Sequence, residues 1–353
     1  MTGTTTATAP LEEINRVGTR RQIGWYRSPL DRDLHRALNR RSDLKGFAQT
    51  LGHLGLLAAT GGLALYGAGR WPWIVVALLV FAYGTFHAFL LNGFHELCHN
   101  TVFKTKWLNR FFLRIFSFLT WHNYVGFLAS HTKHHQYTLH QPDDLEVVLP
   151  QSMTKKAFFK SNFINPKAMV TKVRVEFNHV RGKFDSEWFR DVLFPESEPE
   201  KRRALAACSF TMLIGHGAIL VVSVAMGWYL VPVIVSLAPA YGNWLMQLCN
   251  ATQHIGLKDH VPDFRICCRT IRLNPFLQFL YWHMNFHTEH HMYAAVPCYN
   301  LGKLHRAIRH ELPYCPNGLV DTWRRIAAIQ KKQAEDPEYQ FVPELPEPVP
   351  AAQ

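Results

Sequence analysis

Residues 71–99 read WPWIVVALLVFAYGTFHAFLLNGFHELCH, and this stretch decides the fold. Its first 24 residues, 71–94, contain no Asp, Glu, Lys or Arg. A bilayer core takes about 20 apolar residues per helix, so the run is long enough to cross one. It ends on His95-Glu96-Leu97-Cys98-His99, a polar cluster set where an apolar helix would leave the membrane. Two more uncharged stretches surround it. Residues 47–69 form one, and residues 204–257 form another that is long enough for two helices. The expected class is therefore an all-α integral membrane protein. It has four transmembrane helices, near 50–69, 72–93, 206–226 and 229–249, arranged as two hairpins. Pro232 and Pro239 inside the last of these are tolerable in a membrane helix.

The hairpins set the sidedness. Arg70 falls between the first two spans, and the other 37 of the 38 Lys and Arg residues fall on the opposite side. The positive-inside tendency makes that side cytoplasmic. It would hold an N-terminal segment (1–46), a cap with interfacial helices (95–205 and 250–320), and a C-terminal helix followed by an acidic, Pro-rich tail (321–353). The tail is expected to be disordered. MTGTTTATAP at the N-terminus is polar and does not read as a cleavable signal. Residues 104–119 are apolar but carry Arg110 and Arg114 one turn apart, which suits an interfacial helix.

Composition narrows the class further. The chain has 353 residues, 48% of them hydrophobic and 18% charged, with a formal charge of +12. That much apolar matter excludes a disordered chain. Seven Cys without a C-x-x-C pair exclude a disulfide scaffold. The basic, aromatic-laced stretch 153–190 suits anionic lipid headgroups beside a membrane, so no nucleic-acid partner is expected.

Twenty histidines remain to be explained. His95 and His99 are four apart and can share one helical face. His131-Thr132-Lys133-His134-His135 and His287-Thr288-Glu289-His290-His291 repeat an H-x-x-H-H spacing. Neutral imidazoles ligate first-row transition metals, and eight are too many for one tetrahedral ion, so two metals are expected. His254 ends a further element, Asn250-Ala251-Thr252-Gln253-His254, and makes a ninth ligand. Asn250 lies one turn before it and could hold a metal-bound water. Asp143 and Asp144 could hold the free nitrogens of ligand histidines. His53, His87 and His216 lie inside spans and read as helix-packing or tunnel-lining residues rather than ligands. By itself, HELCH also matches the H-E-x-x-H zinc-peptidase pattern, with Glu96 as base. A metal transporter or store is a third class that such clusters allow.

Through HELCH, HTKHH, NATQH and HTEHH the chain resembles the membrane fatty acid desaturase/hydroxylase superfamily. The run Asn285–His291, followed by Val296-Pro297-Cys298-Tyr299-Asn300-Leu301 and His305, is similar to its bacterial acyl-lipid members. The resemblance covers residues 45–320. It implies two iron ions held by His95, His99, His131, His134, His135, His254, His287, His290 and His291, with Asn250 reaching iron through water. It implies an oxidoreductase that uses O2 as co-substrate, and a lipid-linked fatty acyl chain as the substrate to be desaturated. A hydroxylase or ketolase acting on a fatty, carotenoid or small amphiphilic substrate is the alternative. The location implied is a bacterial inner membrane with the site on its cytoplasmic side. The first box is H-x-x-x-H rather than the longer form of acyl-CoA desaturases, which favours an acyl-lipid. No electron-carrier segment is seen, so electrons must come from a separate donor. A basic face would steer an acidic one, such as a ferredoxin.

Overall fold

A computed structural model describes residues 22–347, and among these every regular element is helical. A short helix α1 (Arg32–Leu38) precedes α2 (Asp43–Gly67), α3 (Trp73–Ala88) and α4 (Leu90–Cys98). Helices α5 (Lys106–Thr120), α6 (Tyr124–Tyr137), α7 (Lys155–Asn162) and α8 (Pro166–Val180) form the first part of the cap. The long α9 (Pro199–Ala225) leads to two short pieces, α10 (Leu230–Val235) and α11 (Trp244–Asn250). Five helices follow. They are α12 (Phe264–Cys267), α13 (Pro275–Leu280), α14 (His287–Met292), α15 (Cys298–Ile308) and α16 (Gly318–Glu335).

Among the described residues, two helical stretches are long and apolar enough to cross a membrane: Trp73–Cys98, which joins α3 to α4, and α9. At 1.5 Å per residue, their 26 and 27 residues extend about 40 Å, more than the hydrocarbon thickness. Their outer faces are oily. Ile74, Val75 and Leu78 on α3 are exposed, as are Phe210, Ile214, Val221 and Val224 on α9. Apolar side chains pointing away from the core reverse the pattern of a water-soluble bundle.

The other two expected spans differ. Helix α2 pairs with α3 and has the length to cross. However, its Gly, Thr, Gln and His residues leave it less apolar than α3. The segment 229–249 is not the single helix expected. It breaks into α10, a 3-10 turn at Ala238–Ala240, and α11. The break has a local cause. Pro239 supplies no N–H, and Gly242 takes φ +76°, which lays its backbone directly on Gly84–Thr85 of α3. A Cβ at Gly242 would run into the Gly84 carbonyl carbon and the Thr85 nitrogen. The helix is interrupted so that two backbones can touch.

Helix α5 follows the amphipathic reading. Leu108, Phe112 and Phe116 are buried, while Trp107, Arg110, Phe111 and Arg114 face outward. Its start is tied to the start of α2, where the Asp43 carboxylate accepts from Thr105 N at 2.9 Å and Thr105 Oγ1 at 2.7 Å. The in-span histidines pack, as expected. His216 stacks between Phe118 and Trp121, with ring centroids 4.0 and 4.1 Å away. His53 Nε2 meets the Phe86 carbonyl at 2.9 Å, and its Nδ1 accepts from Trp282 Nε1 at 2.8 Å. His87 Nε2 lies 3.1 Å from the Leu119 carbonyl.

The tail expectation needs correcting over residues 336–347. This part is tied to the cap rather than free. Phe341 N donates to Gly256 O at 2.8 Å, and Gln340 Nε2 donates to Asp259 Oδ1 at 2.8 Å. Composition misleads here because Tyr339 and Phe341 supply apolar anchors among the prolines and glutamates. The rest of that tail, 348–353, lies outside the described residues, as does 1–21 of the N-terminal segment.

Candidate metal centre

Four elements bring the nine histidines together. Helix α4 carries His95, and His99 caps it. Helix α6 carries His131, His134 and His135. It begins where the Asn123 side chain accepts from Val125 N and Gly126 N, just after Trp121 turns the chain at φ +52°. His254 lies in the turn after α11. The short α14 carries His287, His290 and His291.

The nitrogens form two groups, each with its candidate ligand atoms within 4.8 Å of one another. The first group is His95, His99, His131, His135 and His290. The second is His134, His254, His287 and His291. Helical geometry explains the division. In each H-x-x-H-H box the residues at i and i+4 share a group, and the residue at i+3 crosses to the other. His131 and His135 stay together while His134 departs, and His287 and His291 stay together while His290 departs. Each box therefore serves both groups, which locks α6 to α14.

The rings have a consistent polarity. Nε2 atoms face inward. His99 meets His131 at 3.2 Å and His135 meets His290 at 3.2 Å. His254 meets His287 at 2.9 Å, and His287 meets His291 at 3.1 Å. Four Nδ1 atoms face outward to acceptors, whereas those of His287 and His290 are buried without a hydrogen-bond partner. His131 Nδ1 lies 2.8 Å from Glu146 Oε1, and His134 Nδ1 lies 2.9 Å from Asp144 Oδ2. His254 Nδ1 lies 2.8 Å from the Cys267 carbonyl. The Thr138 hydroxyl donates to His134 O at 2.6 Å, and its oxygen is 3.2 Å from His291 Nδ1. A ring that donates through Nδ1 leaves Nε2 as a bare lone pair. Several lone pairs converging at about 3 Å repel unless a cation lies among them. Imidazole nitrogens backed by carboxylates and carbonyls are a fitting donor set for two transition-metal ions.

Electrostatics keeps most of these rings neutral. Burial, reinforced by neighbouring imidazoles, holds His131, His135, His287, His290 and His291 well below the usual histidine pKa. Burial takes His254 to about 3. His134 is the exception. Burial lowers it, but the hydrogen bond and charge of Asp144 outweigh burial and raise it. Asp144 is itself pushed up by burial, yet His134 and the Leu139 and Glu146 N–H groups bring it below the usual range.

Asp144 lies against His134, and Asp143 precedes it in the same half-buried loop. Glu146 was missed. It follows Asp144 by two residues in the acidic run Asp143-Asp144-Leu145-Glu146, which was the available signal. Asn250 Oδ1 accepts from Asn92 Nδ2 at 3.0 Å, another residue the reading passed over. Asn92 lies one turn before His95, as Asn250 lies one turn before His254. Glu96 is fully buried. Its Oε1 is 3.2 Å from His95 Nδ1 and 3.5 Å from His290 Nδ1, so it faces the outer edges of two rings. A peptidase base would have to face the metal-bound water instead.

A family model described as fatty acid desaturase matches residues 70–322. The chain belongs to the fatty acid desaturase family. Comparison with curated protein sequences returned no match. The match runs from Arg70, just before α3, into α16, and includes all nine histidines. Membership makes the chain a desaturase- or hydroxylase-type oxidoreductase, whose histidine groups could hold metal.

Proposed function

We propose that the chain is an O2-dependent non-haem di-iron membrane oxidoreductase that desaturates a lipid-linked fatty acyl chain. The observation that carries this reading is the pair of all-histidine groups, cross-linked through α6 and α14, in a chain of this family. His95, His99, His131, His135 and His290 would hold one iron. His134, His254, His287 and His291 would hold the other, with Asn250 placed to bind a water beside it. Bound there, the two irons would supply O2 activation and removal of hydrogen from an unactivated C–H bond, with two electrons delivered from outside.

The protein's own contribution is positioning and shielding. Asp144 and Glu146 orient His134 and His131, and Glu96 spans His95 and His290. Phe127 stacks on His131 at 4.8 Å, and Phe264 lies 5.4 Å from His291, so apolar rings limit water at both groups. The second group is wholly buried, whereas His99 and His135 in the first are half-buried. That favours the first group as the side reached by O2 and substrate. The same reading includes four membrane crossings, a cytoplasmic site and a separate acidic electron donor such as a ferredoxin.

The test combines metal analysis with lipid profiling. Purified protein is expected to contain about two irons per chain. Cells expressing it under air should gain acyl products lighter by two hydrogens, and anaerobic cells should not. A product heavier by one oxygen would assign hydroxylation. Stoichiometric zinc without iron would overturn the di-iron reading.

A further inference from the structure

Behind α14 lies a cavity of about 440 Å³ that the reaction above does not use. Its lining includes Thr270, Thr288 and His305. Helical geometry turns Thr288 away from the metal groups, since His287, His290 and His291 occupy the opposite face of α14. The same three residues form one network. Thr288 N donates to Thr270 Oγ1 at 3.2 Å, Thr270 Oγ1 donates to Glu289 Oε2, and His305 Nδ1 bonds Glu289 Oε1. The other walls are α16 and the tail, with Ile329 and Ala328 on one side and Tyr339 and Phe341 on the other.

The cavity has an apolar body and a cationic lining. Arg269 is among its lining residues, and among the described residues its guanidinium has no carboxylate partner within ion-pair distance. Its side-chain bonds go to the carbonyls of Thr252, at 2.5 Å, and Ile255, at 3.0 Å. Burial lowers its pKa to about 10. Arg325, paired with Asp321, and Lys332, over the Tyr339 ring, add positive charge against a single lining carboxylate, Glu344. A buried guanidinium retains its charge and fits planar oxyanions. Ligand sites are typically of this size and mostly apolar, with a few polar groups that fix orientation.

We propose that this cavity is a second ligand site, which takes a single-chain amphiphile with an anionic head, carboxylate or phosphate, on Arg269. Apolar walls cover the tail of the ligand, and residues 339–344 roof it. Arg269 also grips both sides of the His254 turn through Thr252 and Ile255, so an anion there would touch the support of a ligand histidine. The inference concerns binding and does not rest on the reaction assigned above.

The experiment uses full-length protein in nanodiscs of zwitterionic phosphatidylcholine and a photoreactive palmitate. Labelled peptides are mapped by mass spectrometry. Label is expected within 312–316 and 339–344. Lys332→Glu should reduce it about tenfold, the size of one charged contact, and Ala328→Trp, which fills the cavity from an open position on α16, should reduce it at least as far. Metal content of both variants should stay unchanged. Competition by oleate assigns a carboxylate ligand, and competition by lysophosphatidate assigns a phosphate one. Equal competition by oleyl alcohol would overturn the anionic head. Label elsewhere only, or label indifferent to Ala328→Trp, would overturn the site.

Discussion

At the scale of single residues, the histidine spacings were legible and their partition was not. Spacing shows that His131 and His135 share a face. It cannot show that His134 and His290 change partners, because that depends on how α6 meets α14. The supporting carboxylates were half legible, since Asp144 follows the box within a short loop while Glu146 reaches back to His131, 15 residues earlier in the chain. Their roles predict the behaviour of two substitutions. Asp144→Asn should weaken the second group, because His134 loses the charge that fixes its tautomer. Glu146→Gln should weaken the first. Such outer partners are worth about 10- to 100-fold in metal affinity. Metal titration of the chelated protein checks this, and unchanged affinity in both variants would refute the assignment. Acid should act on the same residues. His254 titrates near 3 when folded and near 6.5 when unfolded, and His131, His135, His287, His290 and His291 are shifted the same way. A depressed base contributes stability that is complete above about 6.5 and is lost as pH falls toward 3. His134, shifted upward, opposes this but is outnumbered. The metal-free protein in detergent should therefore melt at progressively lower temperature between pH 7 and pH 4. A flat or rising profile would contradict this.

At the scale of elements, apolar runs located α3 and α9 because each is one uninterrupted helix. The segment 229–249 is equally uncharged yet broken, and only its prolines and Gly242 hinted at this. What composition hides is the partner surface, for Gly242 meets Gly84 backbone to backbone. A side chain at position 242 must push α3 and α11 apart and also adopt a left-handed conformation. Gly242→Ala should cost about 2 kcal/mol or more. The displacement would pass along α11 to Asn250 and His254. Loss of melting temperature should therefore come with loss of metal from the second group. Gly217→Ala on α9, where an added Cβ meets nothing within 4 Å, should leave both unchanged. Equal effects from the two substitutions would show that the contact does not matter.

At the scale of the whole molecule, the convergence of the histidines constrains the path through the membrane. Residues from 95 to 135 and from 254 to 291 meet in the same two groups. The chain between His135 and His254 must therefore cross the bilayer an even number of times. On the proposed four-crossing reading, α9 supplies one crossing and the broken segment α10–α11 supplies the return despite its interruptions. The proposed reading pairs α2 with Trp73–Cys98, and the bond from Asn300 Nδ2 to Leu38 O at 2.8 Å holds the segment before α2 against the cap. The charge pattern accords with that reading, since Arg70 is the one Lys or Arg between these two helices. The exposed Tyr229, between α9 and α10, should then lie on the opposite face from Lys331 on α16. In intact cells, a membrane-impermeant maleimide should label Tyr229→Cys and should reach Lys331→Cys only after permeabilisation. Labelling of both positions from the same side would overturn the four-crossing reading, because α9 and α10–α11 would not form an outward and a return crossing.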